Sequence, residues 1–155
     1  MSNSQTVRVY FRKDKNDPTP GSWTFTPNPV AVPYHDENDD HQSLHITYAL
    51  SGSSGWDYVA VSIHLLESDG SPSETPFTTL TRTTTQNQYA PFSLPDGGDF
   101  HLALLTLNDD TITLSLKNNN NGRQNAYLGL ALTVRNGPYT QTSQDPQIEL
   151  PRKTE

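Results

Sequence analysis

The sequence predicts an all-β protein: an antiparallel two-sheet sandwich of about seven to nine strands, spaced roughly 8–12 residues apart as in sandwiches and small barrels. No stretch of a dozen or more residues keeps the 3.6-residue period of a helix, whereas a period of two recurs along the chain. Twelve prolines and nine glycines punctuate the 155 residues, which suits strands and turns.

Residues 6–11 open the series, with Val7, Val9 and Phe11 on one face and Arg8 and Tyr10 on the other. A proline-rich passage follows, carrying Trp23, Phe25, Val30 and Val32 between Pro18, Pro20, Pro27, Pro29 and Pro33. Proline cannot donate to a ladder, so this passage predicts edge strands or extended linkers. Residues 43–50 set Leu44, Ile46, Tyr48 and Leu50 against His45, Thr47 and Ala49, one buried face and one open one. The small bridge Ser51-Gly52-Ser53-Ser54-Gly55 leads into residues 56–66, and the two strands are expected to form a hairpin. In the second of them Val59, Val61, Ile63 and Leu65 are expected to share one face, and Trp56, Tyr58, Ser62 and His64 the other.

Ser68-Asp69-Gly70-Ser71-Pro72 makes a turn, and the threonine-rich residues 77–85 form a weaker, exposed strand. Residues 100–107 and 111–117 flank Asn108-Asp109-Asp110, a hairpin connection, with Phe100, Leu102, Leu104, Ile112, Leu114 and Leu116 turned inward. The asparagine tract 118–121 with Gly122 then separates them from a strand at 126–134, and Asn136-Gly137 turns the chain into a last extended segment ending near Leu150. The whole is expected to be one domain over residues 1–155, with loose ends at 1–5 and 151–155.

The composition excludes several classes of function. A chain of this length buries roughly 70% of its unfolded surface, enough for one core. Ten Lys and Arg against seventeen Asp and Glu leave a net charge of −7, and the basic residues are scattered apart from Arg8, Arg12, Lys13 and Lys15, which read as a solvated strand end, so a nucleic-acid partner is not expected. Cysteine is absent, which removes disulfides, thiolate nucleophiles and cysteine-ligated metals. No apolar run approaches transmembrane length, and the start Met-Ser-Asn-Ser-Gln-Thr has no signal-like pattern, which points to a cytoplasmic protein without a membrane.

Four carboxylates and three imidazoles fall within residues 35–45. Asp36, Asn38 and Asp40 match the opening of a calcium loop, but His41 stands where the turn needs glycine and Thr47 where the bidentate glutamate belongs. An EF-hand is therefore excluded. Asp36, Asn38, Asp40, His41 and His45 remain candidate ligands for a looser calcium site, or for zinc or nickel through the two imidazoles. His41 and His45 would lie about 13 Å apart on a straight strand, too far to chelate one ion without a bend. The competing reading is a solvated acidic loop that needs no cofactor.

Catalytic arrangements have less support, and an enzyme ranks third among the expected functions. Gly52-Ser53-Ser54-Gly55 lacks the spacing of a nucleophile elbow. His64 and His101 sit among apolar strand neighbours, the setting of a hydrogen-bonded structural histidine. Asp96-Gly97-Gly98-Asp99 reads as a turn rather than a phosphate cradle. A carbohydrate surface has material: Trp23, Trp56, Tyr58 and Tyr89 offer rings, and Asn108, Asp109 and Asp110 with Asn118, Asn119, Asn120 and Asn121 offer planar polar groups. The same rings serve equally well as core, and asparagine runs serve as turns.

Tyr127-Leu128-Gly129-Leu130-Ala131-Leu132-Thr133-Val134, then Asn136-Gly137, then Ser143-Gln144-Asp145-Pro146-Gln147-Ile148, resembles the C-terminal signature of the small bacterial DP-EP proteins. There a strand, a turn and a "DPQI" ending close the domain; the resemblance covers about the last quarter of this chain. It implies a bacterial sandwich of immunoglobulin-like type and brings no catalytic residues with it. The expected function is thus a non-enzymatic binding or self-assembly module. The alternative is a lectin-like carbohydrate binder, calcium-assisted, with Trp56, Tyr58, Asn108, Asp109 and Asp110 as its ligand site. The threonine-rich residues 78–85 hold only Arg82 as a charge, an edge poorly protected against pairing, so a homo-oligomer is expected.

Overall fold

The computed structural model describes residues 3–14, 20–35, 43–67, 69–83, 89–144 and 146–153. Every regular element among them is a strand. They are β1 (Asn3–Arg12), β2 (Ser22–Thr26), β3 (Val30–Ala31), β4 (Leu44–Gly52), β5 (Asp57–Leu65), β6 (Thr78–Thr81), β7 (Ala90–Ser93), β8 (Asp99–Leu107), β9 (Thr111–Asn119), β10 (Ala126–Asn136), β11 (Tyr139–Thr142) and β12 (Gln147–Leu150). Twelve strands replace the expected seven to nine, because the proline-rich passage and the C-terminal segment each break into short pieces and β7 forms where no strand was expected.

One sheet runs β2-β1-β4-β9-β8-β7; the other runs β3-β12-β10-β5-β6, with β11 beside the far end of β10. The ladders are mixed rather than wholly antiparallel, since β1 pairs β4 in parallel and β3 pairs β12 in parallel. β2 and β3, which lie between the prolines of that passage, and β7, which holds Pro91, lie at sheet edges, where a missing N–H removes no ladder bond.

The alternation read from the sequence sets the buried faces. Val7, Val9 and Phe11 of β1, Ile46 and Tyr48 of β4, and Ile112, Leu114 and Leu116 of β9 are buried, and they join Val61, Ile63, Leu128, Leu130 and Leu132 of the other sheet in one apolar cluster. Each such aliphatic or aromatic side chain contributes about 1.5–3 kcal/mol when fully withdrawn from water.

Residues 43–66 depart from the expected hairpin. β4 and β5 belong to different sheets, and the bridge at 51–55 carries the chain across. Its backbone is fixed at Gly52, whose φ of +114° suits glycine and where a Cβ would lie 1.9 Å from the Phe11 carbonyl oxygen. The Ser53 amide donates to that same oxygen at 2.8 Å.

The faces of β5 also differ from the expectation. Thr133 pairs with Ala60 but Val134 with Tyr58, so Val59 is the extra residue of a bulge. A one-residue slip reverses the phase of everything before it. Tyr58 therefore joins Val61 and Ile63 in the core, and Val59 is left half-buried. A second bulge at Leu105 does the same in β8: Leu107 rather than Thr106 packs inward, and Leu105 is 45% exposed.

The described parts of the chain ends are held. Residues 3–5 pair with β4, the Asn118 amide donates to the Pro151 carbonyl at 2.9 Å, and the Lys153 amide donates to the Asn120 carbonyl at 2.8 Å.

Candidate functional site

Of the proposed metal ligands, Asp36, Asn38, Asp40 and His41 lie outside the described residues. His45 is half-buried in β4, in register with Ser4 on one side and Ser115 on the other. Among the described residues no three His, Asp or Glu side chains are grouped to hold an ion.

The proposed aromatic platform is core. Trp56 is 5% exposed and packs edge-on against Phe11 with centroids 5.2 Å apart, and Tyr58 is fully buried. A buried ring offers no face to a sugar, and the cause is the bulge at Val59. Asn108, Asp109 and Asp110 are exposed but engaged. The Asn108 carboxamide oxygen accepts the Thr111 amide at 2.9 Å and closes the turn, and Asp110 accepts the Thr111 hydroxyl at 3.0 Å. Asp109 meets the Arg82 guanidinium at 2.6 Å. Trp23 stacks on Phe25, and Lys117 holds its ammonium 4.3 Å from the Tyr89 ring centroid. His64 and His101 have the partners expected of structural histidines, with Nδ1 2.9 Å from the Ser73 carbonyl and 2.9 Å from the Asn119 carboxamide oxygen respectively.

The asparagine tract is more than a turn. Asn118, Asn119 and Asn120 are buried, the first two at the end of β9. Asn118 donates to the Val32 and Pro151 carbonyls at 2.7 and 2.9 Å, and Asn119 to the His35 carbonyl at 2.9 Å. Asn120 donates to the Gln124 and Leu150 carbonyls at 3.0 and 2.9 Å and accepts the Gly122 amide at 3.1 Å. An amide supplies two donors and an acceptor at once, which is what a knot of irregular backbone requires. This tract gives a rigid end to the molecule.

At that end the segments after β5, before β8 and before β10 enclose a cleft of about 330 Å³. Leu65, Leu66, Leu94, Pro95, Ala126 and Tyr127 supply its apolar wall, while Glu67, Asp96, Asn120, Gln124 and Asn125 supply polar groups. The turn at 94–98 is closed by the Leu94 amide on the Gly98 carbonyl at 3.1 Å, and it presses against the asparagine tract. A Cβ on Gly98 would lie 2.7 Å from the Asn121 nitrogen, so glycine permits the approach that shapes the cleft. Tyr127 is 39% exposed at its rim. The lining includes no lysine or arginine.

The sequence pointed to the asparagines and the turn at 96–99 separately; that the fold joins them with Leu66 and Tyr127 has no local signal. No family model matches the chain, and no curated protein matches it significantly.

Proposed function

We propose that the protein is a non-catalytic binding module on a two-sheet sandwich of immunoglobulin-like kind, and that its ligand is a short saccharide seated in the end cleft. The observation that carries this reading is the make-up of the cleft wall. Leucines, a proline and the Tyr127 ring line it together with two carboxylates and the carboxamides of Gln124 and Asn125, the Asn120 amide being already engaged with backbone.

A sugar ring has an apolar C–H face and a rim of hydroxyls that each donate and accept. Aromatic and aliphatic side chains match the face, and carboxylates and amides match the rim. A purely apolar ligand would make no use of Glu67 and Asp96. A phosphorylated ligand would meet two carboxylates and no lining cation. The aromatic-plus-amide chemistry expected from the sequence is thus retained, at different residues.

Titration of mono- and disaccharides followed by amide NMR tests this. Signals of residues 65–67, 94–97 and 124–127 should shift saturably with Kd near 1 mM, about 4 kcal/mol of binding. Tyr127→Ala and Asp96→Ala should each weaken it about tenfold without changing the melting temperature, as both side chains are exposed. Absence of any saturable shift, or hydrolysis of the sugar, overturns the reading.

Self-assembly draws its support from β6, an edge strand of four residues next to β5 alone. Light scattering over the micromolar range decides it, and a monomer throughout removes it.

A further inference from the structure

A second concavity, of about 300 Å³, lies at the other end of β5 and is lined by Gly55, Asp57, Val59, Arg82, Arg135 and Gly137. We infer that it is an oxyanion site, separate from the saccharide cleft, in which Arg82 and Arg135 receive a phosphate or carboxylate group.

Arg82 is fixed before any ligand arrives. Its Nε and Nη2 donate to the Tyr58 carbonyl at 2.9 and 2.6 Å, and Nη2 lies 2.6 Å from Asp109. A guanidinium held in one plane gives up little freedom on binding an anion. Arg135 lies opposite Asp57 in the β5–β10 ladder, yet among the described residues it has no ion-pair partner. It is exposed, in a concavity with another guanidinium in its lining. Arg135 offers its fork and Arg82 the one nitrogen, Nη1, that Tyr58 and Asp109 leave unused, and charge-assisted bonds of this type are about twice as strong as neutral ones.

The bulge contributes directly, since the extra residue Val59 lines the concavity and breaks the flat outer surface of β5. Gly55 and Gly137 bring two turns to the rim with no side chain in the way. Asp57 works against an anion and tunes the site toward weak, exchangeable binding. The chain as a whole carries −7 and repels anions, so a saturable response to one has to come from a local arrangement of cations.

The test is titration with inorganic phosphate, and in parallel with succinate, followed by the amide signals of Gly55 and Gly137. Either anion should saturate in the millimolar range, and the tighter of the two assigns the ligand as phosphoryl or carboxylate. Arg135→Gln should weaken binding about tenfold, and Asp57→Asn should tighten it severalfold, since it removes the opposing charge. Both side chains are exposed, so neither substitution should disturb folding. Arg152→Gln, on the C-terminal segment by Asn125, serves as the control and should leave binding unchanged. Lack of saturation with both anions, equal affinity in Arg135→Gln and the parent, or an equal loss in Arg152→Gln overturns the proposal. None of these outcomes bears on the sugar cleft.

Discussion

Tyr48 of β4 and Tyr58 of β5 enter the interior from opposite sheets, and both hydroxyl oxygens are buried there without a hydrogen-bond partner among the described residues. A buried polar atom with no partner pays its desolvation in full, about 1–3 kcal/mol. The two rings fill the core well; the two oxygens do not contribute to holding it.

Removing either hydroxyl should therefore be neutral or stabilising. Tyr58→Phe and Tyr48→Phe are each expected to change the unfolding free energy by between zero and about +1 kcal/mol, because shape is kept and the unmade bond disappears. Urea unfolding measures it. A loss above about 1 kcal/mol in either variant would mean the oxygen is well bonded in solution.

The same burial makes stability sensitive to alkali. Desolvation, then the neighbouring phenol for Tyr48 and Asp110 for Tyr58, pushes both hydroxyls far above the ordinary tyrosine value. The folded form thus favours the proton, and the unfolded chain ionises first. The contribution is fully present below the unfolded pKa of about 10 and is lost as pH rises from there toward the folded value, at about 1.4 kcal/mol per pH unit for each tyrosine. Urea midpoints at a series of pH values from neutral upward should show a steeper alkaline fall for the parent than for the double Phe variant. Equal slopes would refute the assignment.

Arg82, the residue after β6 of one sheet, and Asp109, in the β8–β9 turn of the other, form an ion pair with side chains 41% and 67% exposed. Exposed pairs contribute little, so Asp109→Ala should destabilise by less than about 1 kcal/mol, and less again at high salt. Arg82→Ala should be the larger loss, about 1–2 kcal/mol, since it also strips two bonds from the Tyr58 carbonyl. A double-mutant cycle at two salt concentrations separates the two contributions.

The buried faces were legible wherever alternation was unbroken. In β1, β9 and β8 before its bulge the residues expected inward are buried, and in β4 Ile46 and Tyr48 are buried while Leu44 and Leu50 at its ends are partly so, because a period of two permits only one register against a core. The bulge at Val59 was not legible: a single extra residue leaves no mark in composition, yet it moved Tyr58 into the core and Val59 to the lining of the second concavity. The partners of β4 were equally hidden, since a glycine-serine bridge reads alike whether it closes a hairpin or crosses between sheets. The asparagine tract misled for a physical reason. Asparagine is favoured in turns for its local bonds to backbone, and the same capacity serves here for contacts 30 to 86 residues away in sequence.

Those distant contacts yield the last prediction. Asn118 is fully buried, donates to the Val32 and Pro151 carbonyls, and accepts the Asn120 amide at 2.9 Å. It thereby ties β9 of one sheet to the segments beside β3 and β12 of the other. Asn118→Ala leaves two carbonyls and one amide without a partner and opens a small void, so a loss of about 2–4 kcal/mol is expected. Asn118→Asp should be worse at neutral pH, because a carboxylate faces two carbonyls with no donor and is charged in a dry site. Burial raises the folded pKa of that introduced carboxyl above its unfolded value, so the Asp variant should regain stability as pH falls from neutral toward the ordinary carboxylate range. Asn121→Ala, at an exposed position three residues on, should change stability by less than about 0.5 kcal/mol. Urea unfolding of the three variants at two pH values decides the matter, and an Asn118→Ala loss no larger than that of Asn121→Ala would show that the tract is only a turn.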